Sequence, residues 1–551
     1  MNLLDDAWLP VRLRDGQHLK ISPAELSRAD VVAFDAPRAD FNGALAQFGI
    51  ALLQTVAAVE TAAEWRQRFH SPPDRATLGD GLLSVRAHFE FDGTGARFMQ
   101  DLDLRDGDPV PIANLLIETP GENTLKNNCD HFVKRHQVRR MCPHCAALAL
   151  FTLQLNAPAG GAGHRTGLRG GGPLTTLLVV PAGIEPPRSL WHSLWLNVLP
   201  APVFEQLNGE RDRAEPYARM PWLASIHTVQ AEGGALAPTQ VHPLHVLWSM
   251  PRRIRLDMDN LDTGDCDLCQ QASAHLISRY VTRNYGLNYK GAWRHPLSPY
   301  YAVKDDQLPV HPQPGGLGYR HWLALVLGVH NDKRQIEAAA VVSRFLGDPL
   351  LRRSGTDLQL WSFGFDMDNM KARCWYESTM PLYGLADCDA AARTQLRDVL
   401  SAWLAGADLA ASYVRNAVKD AWFSADARGD FSHIDAAFWS RTEPVFYLLL
   451  RETVASLLAA SFSDGMDAKN RWLRHLQSTA LHLFEHDLVG AGPIERQNMA
   501  RVARAHNQLL ANLRGPKLRA ALALPALLKT SPSPARKSAG LKNKPAGNAA
   551  A

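Results

Sequence analysis

Two Cys-x-x-Cys pairs restrict this chain more than any other feature. The first is Cys142-Pro143-His144-Cys145, and the second, Cys266-Asp267-Leu268-Cys269, begins 121 positions after the first ends. Two thiolates three residues apart grip one side of a Zn²⁺ tetrahedron, and two such knuckles close it. A closed four-thiolate site leaves no position for water, so a zinc held by Cys142, Cys145, Cys266 and Cys269 is expected to be structural. It would tie together distant parts of the fold. The competing readings are two unrelated buried pairs, a redox pair, or His144 replacing one sulfur. Cys129, Cys374 and Cys388 lack this spacing and are expected in the core.

The 551 residues exceed what one hydrophobic core supports, so two or more domains are expected. With 46% hydrophobic and 21% charged residues, the composition is that of a globular chain and excludes wholesale disorder. The formal net charge is only +4, so nucleic-acid binding would require local clusters of basic residues. The start, Met1-Asn2-Leu3-Leu4-Asp5-Asp6, lacks a basic, apolar leader. The apolar stretch 43–63 contains Gln47, Gln54, Thr55 and Glu60 and suits a core helix better than a membrane span. A cytoplasmic location is the expectation.

The fold class expected is α+β. Residues 1–383 read as a large mixed domain braced by the zinc site. Strands are expected at Leu174–Val180 and Leu358–Phe365, and helices at 43–63 and after Cys145. Residues 384–525 read as an all-α four-helix bundle, with helices near 387–423, 434–461, 466–489 and 494–513. Residues 526–551 read as a disordered basic tail.

Three stretches could meet a nucleic acid. Lys126–Arg140 carries five Lys/Arg against one acid and runs directly into the first knuckle. A basic loop braced by metal could follow a phosphate backbone; a solvated surface loop is the plainer alternative. Ala159–Gly172 is glycine-rich, which permits close backbone approach to a ligand, and Arg165 and Arg169 add phosphate-binding charge. The other reading of that stretch is a floppy linker. Gln270–Lys304 has no acid and carries Arg279, Arg283, Lys290, Arg294 and Lys304 among Tyr280, Tyr285, Tyr289 and Trp293. Such rings either stack on bases or pack in a core. Enzyme signatures are missing: there is no His-Glu-x-x-His, Gly-x-Ser-x-Gly or Walker motif. His486-Asp487 lies in an expected bundle helix without a matching histidine cluster and reads as chance. The residues favour a nucleic-acid-binding module, not an enzyme. A zinc-dependent nuclease or hydrolase acting on nucleic acid is the alternative, and a protein-only scaffold is a third.

The ordered set of motifs resembles the CasA-type large subunit of the type I-E CRISPR surveillance complex, Cascade. The set comprises Asn2–Val11, the first knuckle, Asn156-Ala157-Pro158, Gly167-Leu168-Arg169-Gly170-Gly171, the second knuckle, Trp293–Pro299 and the C-terminal helices. It spans the chain to about residue 520. The resemblance implies a non-catalytic subunit near the 5′ end of a guide RNA. That subunit reads the protospacer-adjacent motif (PAM) of duplex DNA from the minor groove and helps open the duplex for R-loop formation. It docks the helicase-nuclease, and its helices touch the small subunits. Its partners would be guide RNA, the backbone and small subunits, PAM-bearing DNA and the helicase-nuclease.

By the same resemblance the DNA-facing glycine loop is Ala159, Gly160, Gly161, Ala162 and Gly163, with alanine at two family glycine positions. The family's minor-groove lysine falls at Asn284, leaving Arg283 as the substitute basic finger. The duplex-splitting wedge falls at Asn369, flanked by Asp368 and Met370. The basic loop, with Phe132, Lys134, Arg135, Arg139 and Arg140, corresponds to a family loop that reaches toward guide RNA and the incoming DNA.

Overall fold

The computed structural model describes residues 1–119, 137–157, 167–181, 183, 187–209, 219–225, 235–283, 286–289, 291, 293–303, 306–331, 334–348, 357–368, 371–422, 431–492 and 498–526. The tail beyond residue 526 lies outside them. The architecture is α+β, with several small sheets followed by a helical region.

A central helix, Ala39–Val56, is buried along most of its length. Apolar residues surround it on nearly every side, so it lies within the core. At its middle the Phe48 ring meets Trp8, Phe89, Phe98, Phe151 and Trp248 at centroid distances of 5.4–6.3 Å. Edge-to-face rings at this spacing add to the burial energy. The helix expected over 43–63 is in fact two helices. Thr61 Oγ1 accepts from Glu64 N at 3.2 Å, and Glu64 Oε2 accepts from Thr61 N at 3.0 Å, which starts a second helix, Ala62–His70. This reciprocal cap ended the apolar pattern that the sequence suggested was continuous.

The helix after the first knuckle runs Pro143–Asn156, with Cys142 as its cap and Pro143 at its first position, where a missing N–H costs nothing. It supplies Phe151 to the Phe48 cluster. The expected strands appear as Thr175–Val179 and Gln359–Asp368. The latter pairs with Lys371–Pro381 in a long antiparallel hairpin, and Thr175–Val179 pairs with its base from Gln359 to Phe363. Gly43 lets the central helix close on this sheet: a Cβ there would lie 2.7 Å from the Phe363 ring.

The C-terminal region contains Ala390–Trp422, Ser432–Leu458, Met466–His482 and Met499–Arg514. They pack through residues three and four apart, such as Leu396, Val399, Leu400 and Trp403. Buried Trp472 donates to the Trp403 carbonyl at 3.0 Å. Tyr319, from the mixed region, reaches in; its hydroxyl is 2.7 Å from Thr442 Oγ1 and its ring 4.4 Å from Phe446. His486 and Asp487 lie in a π-helical turn, Leu483–Leu488, and Asp487 is paired with Arg441 at 2.7 Å. Among the described residues no helix is long and apolar enough to cross a membrane.

A four-cysteine centre and the segments around it

The strands Leu261–Asp265 and Ala272–Ile277 form a ribbon whose turn carries Cys266 and Cys269. Met141 bridges to Ile277 at the ribbon's far end, by hydrogen bonds of 3.0 and 2.8 Å in the two directions. This exchange draws Cys142 beside Cys266, and the Cys142 N–H donates to the Cys266 sulfur at 3.3 Å. The Sγ atoms of Cys142, Cys145, Cys266 and Cys269 all lie within 4.8 Å of one another. Around a Zn²⁺ with bonds of about 2.3 Å, tetrahedral sulfurs are about 3.8 Å apart. The Cys142 and Cys269 sulfurs are 3.8 Å apart. The donor set therefore fits a four-thiolate metal site. Hydrogen bonds among the four sulfurs lower the pKa of Cys266 and Cys269 and raise that of Cys142 and Cys145, so two of the four are poised as thiolates and a metal would displace the protons of the other two. Thiolates are the form that binds a metal.

His144 does not join the sulfurs. Its ring stacks on Trp8 at 5.7 Å and its Nε2 is 3.5 Å from the Asp6 carboxylate. Burial lowers its pKa. Cys388 is buried as expected, whereas Cys374 is exposed, because it lies on the outer strand of the hairpin sheet. Cys129 lies outside the described residues.

The knuckle also grips the stem of the basic loop. The Arg139 and Arg140 N–H groups both donate to Asp267 Oδ2, at 2.7 and 2.8 Å, and Asp267 N donates to the Arg140 carbonyl at 3.1 Å. Asp267 stands between the two cysteines of the second pair, so it is fixed by them. The Arg139 side chain is exposed. Phe132, Lys134 and Arg135 lie outside the described residues, as do Ala159, Gly160, Gly161, Ala162, Gly163 and Arg165.

Arg169 corrects the sequence reading. It is 1% exposed and faces the core, away from any phosphate on the surface. Its guanidinium donates to Gln47 Oε1 at 2.8 Å, Asn156 Oδ1 at 2.9 Å, Thr175 Oγ1 at 2.6 Å and Ser298 Oγ at 2.8 Å. Burial pushes its pKa down to about 9, which still leaves it protonated at neutral pH. The Asn156–Arg169 bond closes the neck of the glycine segment. At that segment's far end Gly172 has φ +106°, and a Cβ there would lie 2.4 Å from Met367 Cγ of the hairpin. The Gly172 carbonyl is 2.7 Å from His311 Nδ1. Gly172 thus packs against the distal half of the hairpin.

At that distal end Asp368 pairs with Lys371, so residues 369 and 370 connect the strands. Asp368 is exposed; Asn369 and Met370 lie outside the described residues. Arg283 ends the strand Arg279–Arg283, exposed, with its guanidinium 3.4 Å from the Asp106 carbonyl. Asn284 lies outside the described residues. Among the described residues, Tyr280, Tyr289 and Trp293 of the 270–304 stretch do not form a stacking surface. Tyr280, Tyr289 and Trp293 are at most 4% exposed, and Trp293 donates to the Leu236 carbonyl at 3.1 Å. Tyr285, Lys290 and Lys304 lie outside the described residues. Arg294 is spent on Glu337 at 2.9 Å.

Sequence reasoning missed Asp267 and Asn156. Asp267 was visible as the acid inside a knuckle; Asn156 was visible in the Asn156-Ala157-Pro158 motif but carried no sign of its partner.

Residues 2–483 match the sequence profile of the family described as CRISPR-associated protein Cse1. The fold is similar to that of Thermus thermophilus CasA (Cse1), with TM-score 0.63 at 16% identity, over 93% of this chain and 99% of that one. It is also similar to Thermobifida fusca Cse1, with TM-score 0.64 at 15% identity, over 95% and 98%. A chain from a structure described as a CRISPR RNA-guided surveillance complex matches with TM-score 0.62 at 15% identity, over 94% and 99%.

Proposed function

This chain belongs to the CRISPR-associated Cse1 family, and from that premise we propose that it is the non-catalytic, PAM-reading large subunit of an RNA-guided surveillance complex. It would pair with guide RNA, backbone and small subunits, recognise the PAM in duplex DNA, start the R-loop and dock a helicase-nuclease. The observation that carries the reading is an arrangement of three segments. The glycine segment and the hairpin tip leave the same end of one sheet, with Gly172 packed on Met367, while the knuckle holds the stem of the basic loop through Asp267. Close backbone approach suits the minor groove, and an inserted side chain offsets part of the unstacking cost that begins strand separation.

In this reading Ala159–Gly163 and Arg165 face the PAM, and Arg283, beside Asn284, supplies the basic finger. Asn369, with Asp368 and Met370, forms the wedge. Phe132, Lys134, Arg135, Arg139 and Arg140 follow the nucleic-acid backbone. Arg169 holds the glycine segment's neck and does not touch DNA. Zinc held by Cys142, Cys145, Cys266 and Cys269 would supply a cross-link. Four thiolates fill its coordination, which weighs against the zinc-dependent nuclease alternative.

The test is reconstitution of the complex with guide RNA and the other subunits, with and without this chain. Omission should abolish tight, PAM-dependent binding of duplex targets. Unchanged target binding on omission would refute the proposal, and DNA cleavage by this chain alone that stops on chelation would establish the nuclease instead.

A further inference from the structure

The hairpin extends beyond its sheet. Thr175 pairs with Phe363, and among the described residues no strand pairs with Gly364–Asp368 except the return strand. A two-stranded ribbon is marginally stable by itself. If this tip is to part base pairs, it must hold its shape against the cost of unstacking them. The protruding part therefore needs a brace of its own.

The geometry points to Arg373 as that brace: we infer that Arg373 and Asp366 form a cross-strand clamp that stiffens the tip, making Arg373 a positioning residue for strand separation. This inference rests on the wedge reading above. Asp366 pairs with Cys374 and Met367 with Ala372, so Arg373 is the extra residue of a bulge in the return strand. Bulges re-aim side chains. Here Arg373 reaches across the ribbon. Its Nη2 donates to Asp366 Oδ1 at 2.7 Å, and its Nη1 lies 3.9 Å from Asp368 Oδ2. The Asp366 side chain is 4% exposed, although it stands two positions from exposed Asp368. The Arg373 side chain is 43% exposed, but a carboxylate this buried is costly unless paired, so removing the arginine would strand the acid. One guanidinium thus links the ribbon's buried part to the first residue of its tip. Met367, next to the bulge, is also where Gly172 packs. The clamp consequently fixes the hairpin where the glycine segment leaves the sheet.

The test uses the reconstituted complex and two PAM-bearing targets, one fully duplex and one pre-opened next to the PAM. Arg373→Ala, Asp366→Asn and the double variant are compared with Asn369→Ala. Each clamp variant should slow R-loop formation on closed duplex by about tenfold, within the range of coupled neighbours. Neither should affect the pre-opened target, and the double variant should be no slower than either single one. Asp366→Asn keeps the side-chain shape, so it decides the matter if Arg373→Ala fails to assemble. A slow Arg373→Ala with a wild-type Asp366→Asn would mean that Arg373 contacts phosphate, and would overturn the clamp. Wild-type rates for both clamp variants with a slow Asn369→Ala would overturn the clamp and leave the wedge standing. Wild-type rates for all three would sink both.

Discussion

The stem of the basic loop leaves the fold beside four sulfurs contributed by positions 142–145 and 266–269, whereas the hairpin tip is braced by Asp366 and Arg373, seven positions apart in sequence. The first brace joins remote parts of the chain through four clustered sulfurs that could hold a metal ion. The second is local and depends on a single charge pair, a buried Asp366 carboxylate met by an exposed Arg373. The difference lies in what each can lose. Without the metal, the first leaves the Cys142 helix and the 261–277 ribbon held by the Met141–Ile277 bridge and their packing. Without its arginine, the second leaves a buried carboxylate unpaired. The glycine segment uses a third device, the hub of neutral acceptors around the charged Arg169.

The largest effect should come from the sulfurs. Structural zinc contributes several kcal/mol of folding free energy. Cys142→Ser with Cys266→Ser should remove the metal detected by elemental analysis and lower Tm by on the order of 10 °C. The Arg373–Asp366 clamp should be untouched, so closed duplex should still be opened by whatever chain remains folded. An unchanged Tm together with bound metal in the double variant would break the comparison, because the brace would then lie elsewhere.

Removing the hub should cost less. Arg169→Gln leaves Gln47, Asn156, Thr175 and Ser298 short of donors in a buried site, and unsatisfied buried groups cost about 1–3 kcal/mol each. A loss of about 3 kcal/mol in denaturant unfolding is expected, after partial relaxation. It should be constant across neutral pH. The folded pKa is depressed to about 9, so folded and unfolded chains both carry the proton at pH 7. Only above pH 9 does the unfolded state hold the proton better, and stability from this group then rises with pH. A pH-dependent loss near 7 would show that another group shares the site.

Much of this was legible in the sequence, for reasons specific to each residue. The cysteine pairs announced themselves because a tetrahedral metal accepts few ligand types at few spacings. The strands at 175–179 and 359–368 followed from the runs Leu174–Val180 and Leu358–Phe365, the first rich in β-branched and the second in aromatic residues, between turns. Arg169 was misread because glycines beside an arginine suggest an anion site, while its partners stand at positions 47, 156, 175 and 298, which no local pattern connects. Tyr280, Tyr289 and Trp293 have the spacing of a stacking platform and the burial of a core, and only tertiary packing separates the two. The Thr61–Glu64 cap was readable and was overlooked because the apolar stretch continued past it.

The smallest effect tests whether the knuckle governs the basic loop or merely adjoins it. Asp267 is not a metal ligand, yet its Oδ2 accepts from both the Arg139 and Arg140 amides. Asp267→Asn keeps the side-chain shape and removes the charge that strengthens those bonds. Metal content should be unchanged and stability lower by about 1 kcal/mol, the net worth of such bonds. Trypsin should cut faster after Arg139 and Arg140, whose backbone the carboxylate holds. Faster cutting with full metal would separate the two functions of the knuckle: the sulfurs fold the region, and Asp267 between them aims the loop. Unchanged cutting would mean that the stem is held by the Met141–Ile277 exchange alone, and the basic loop would then owe its position to the sheet and not to the metal centre.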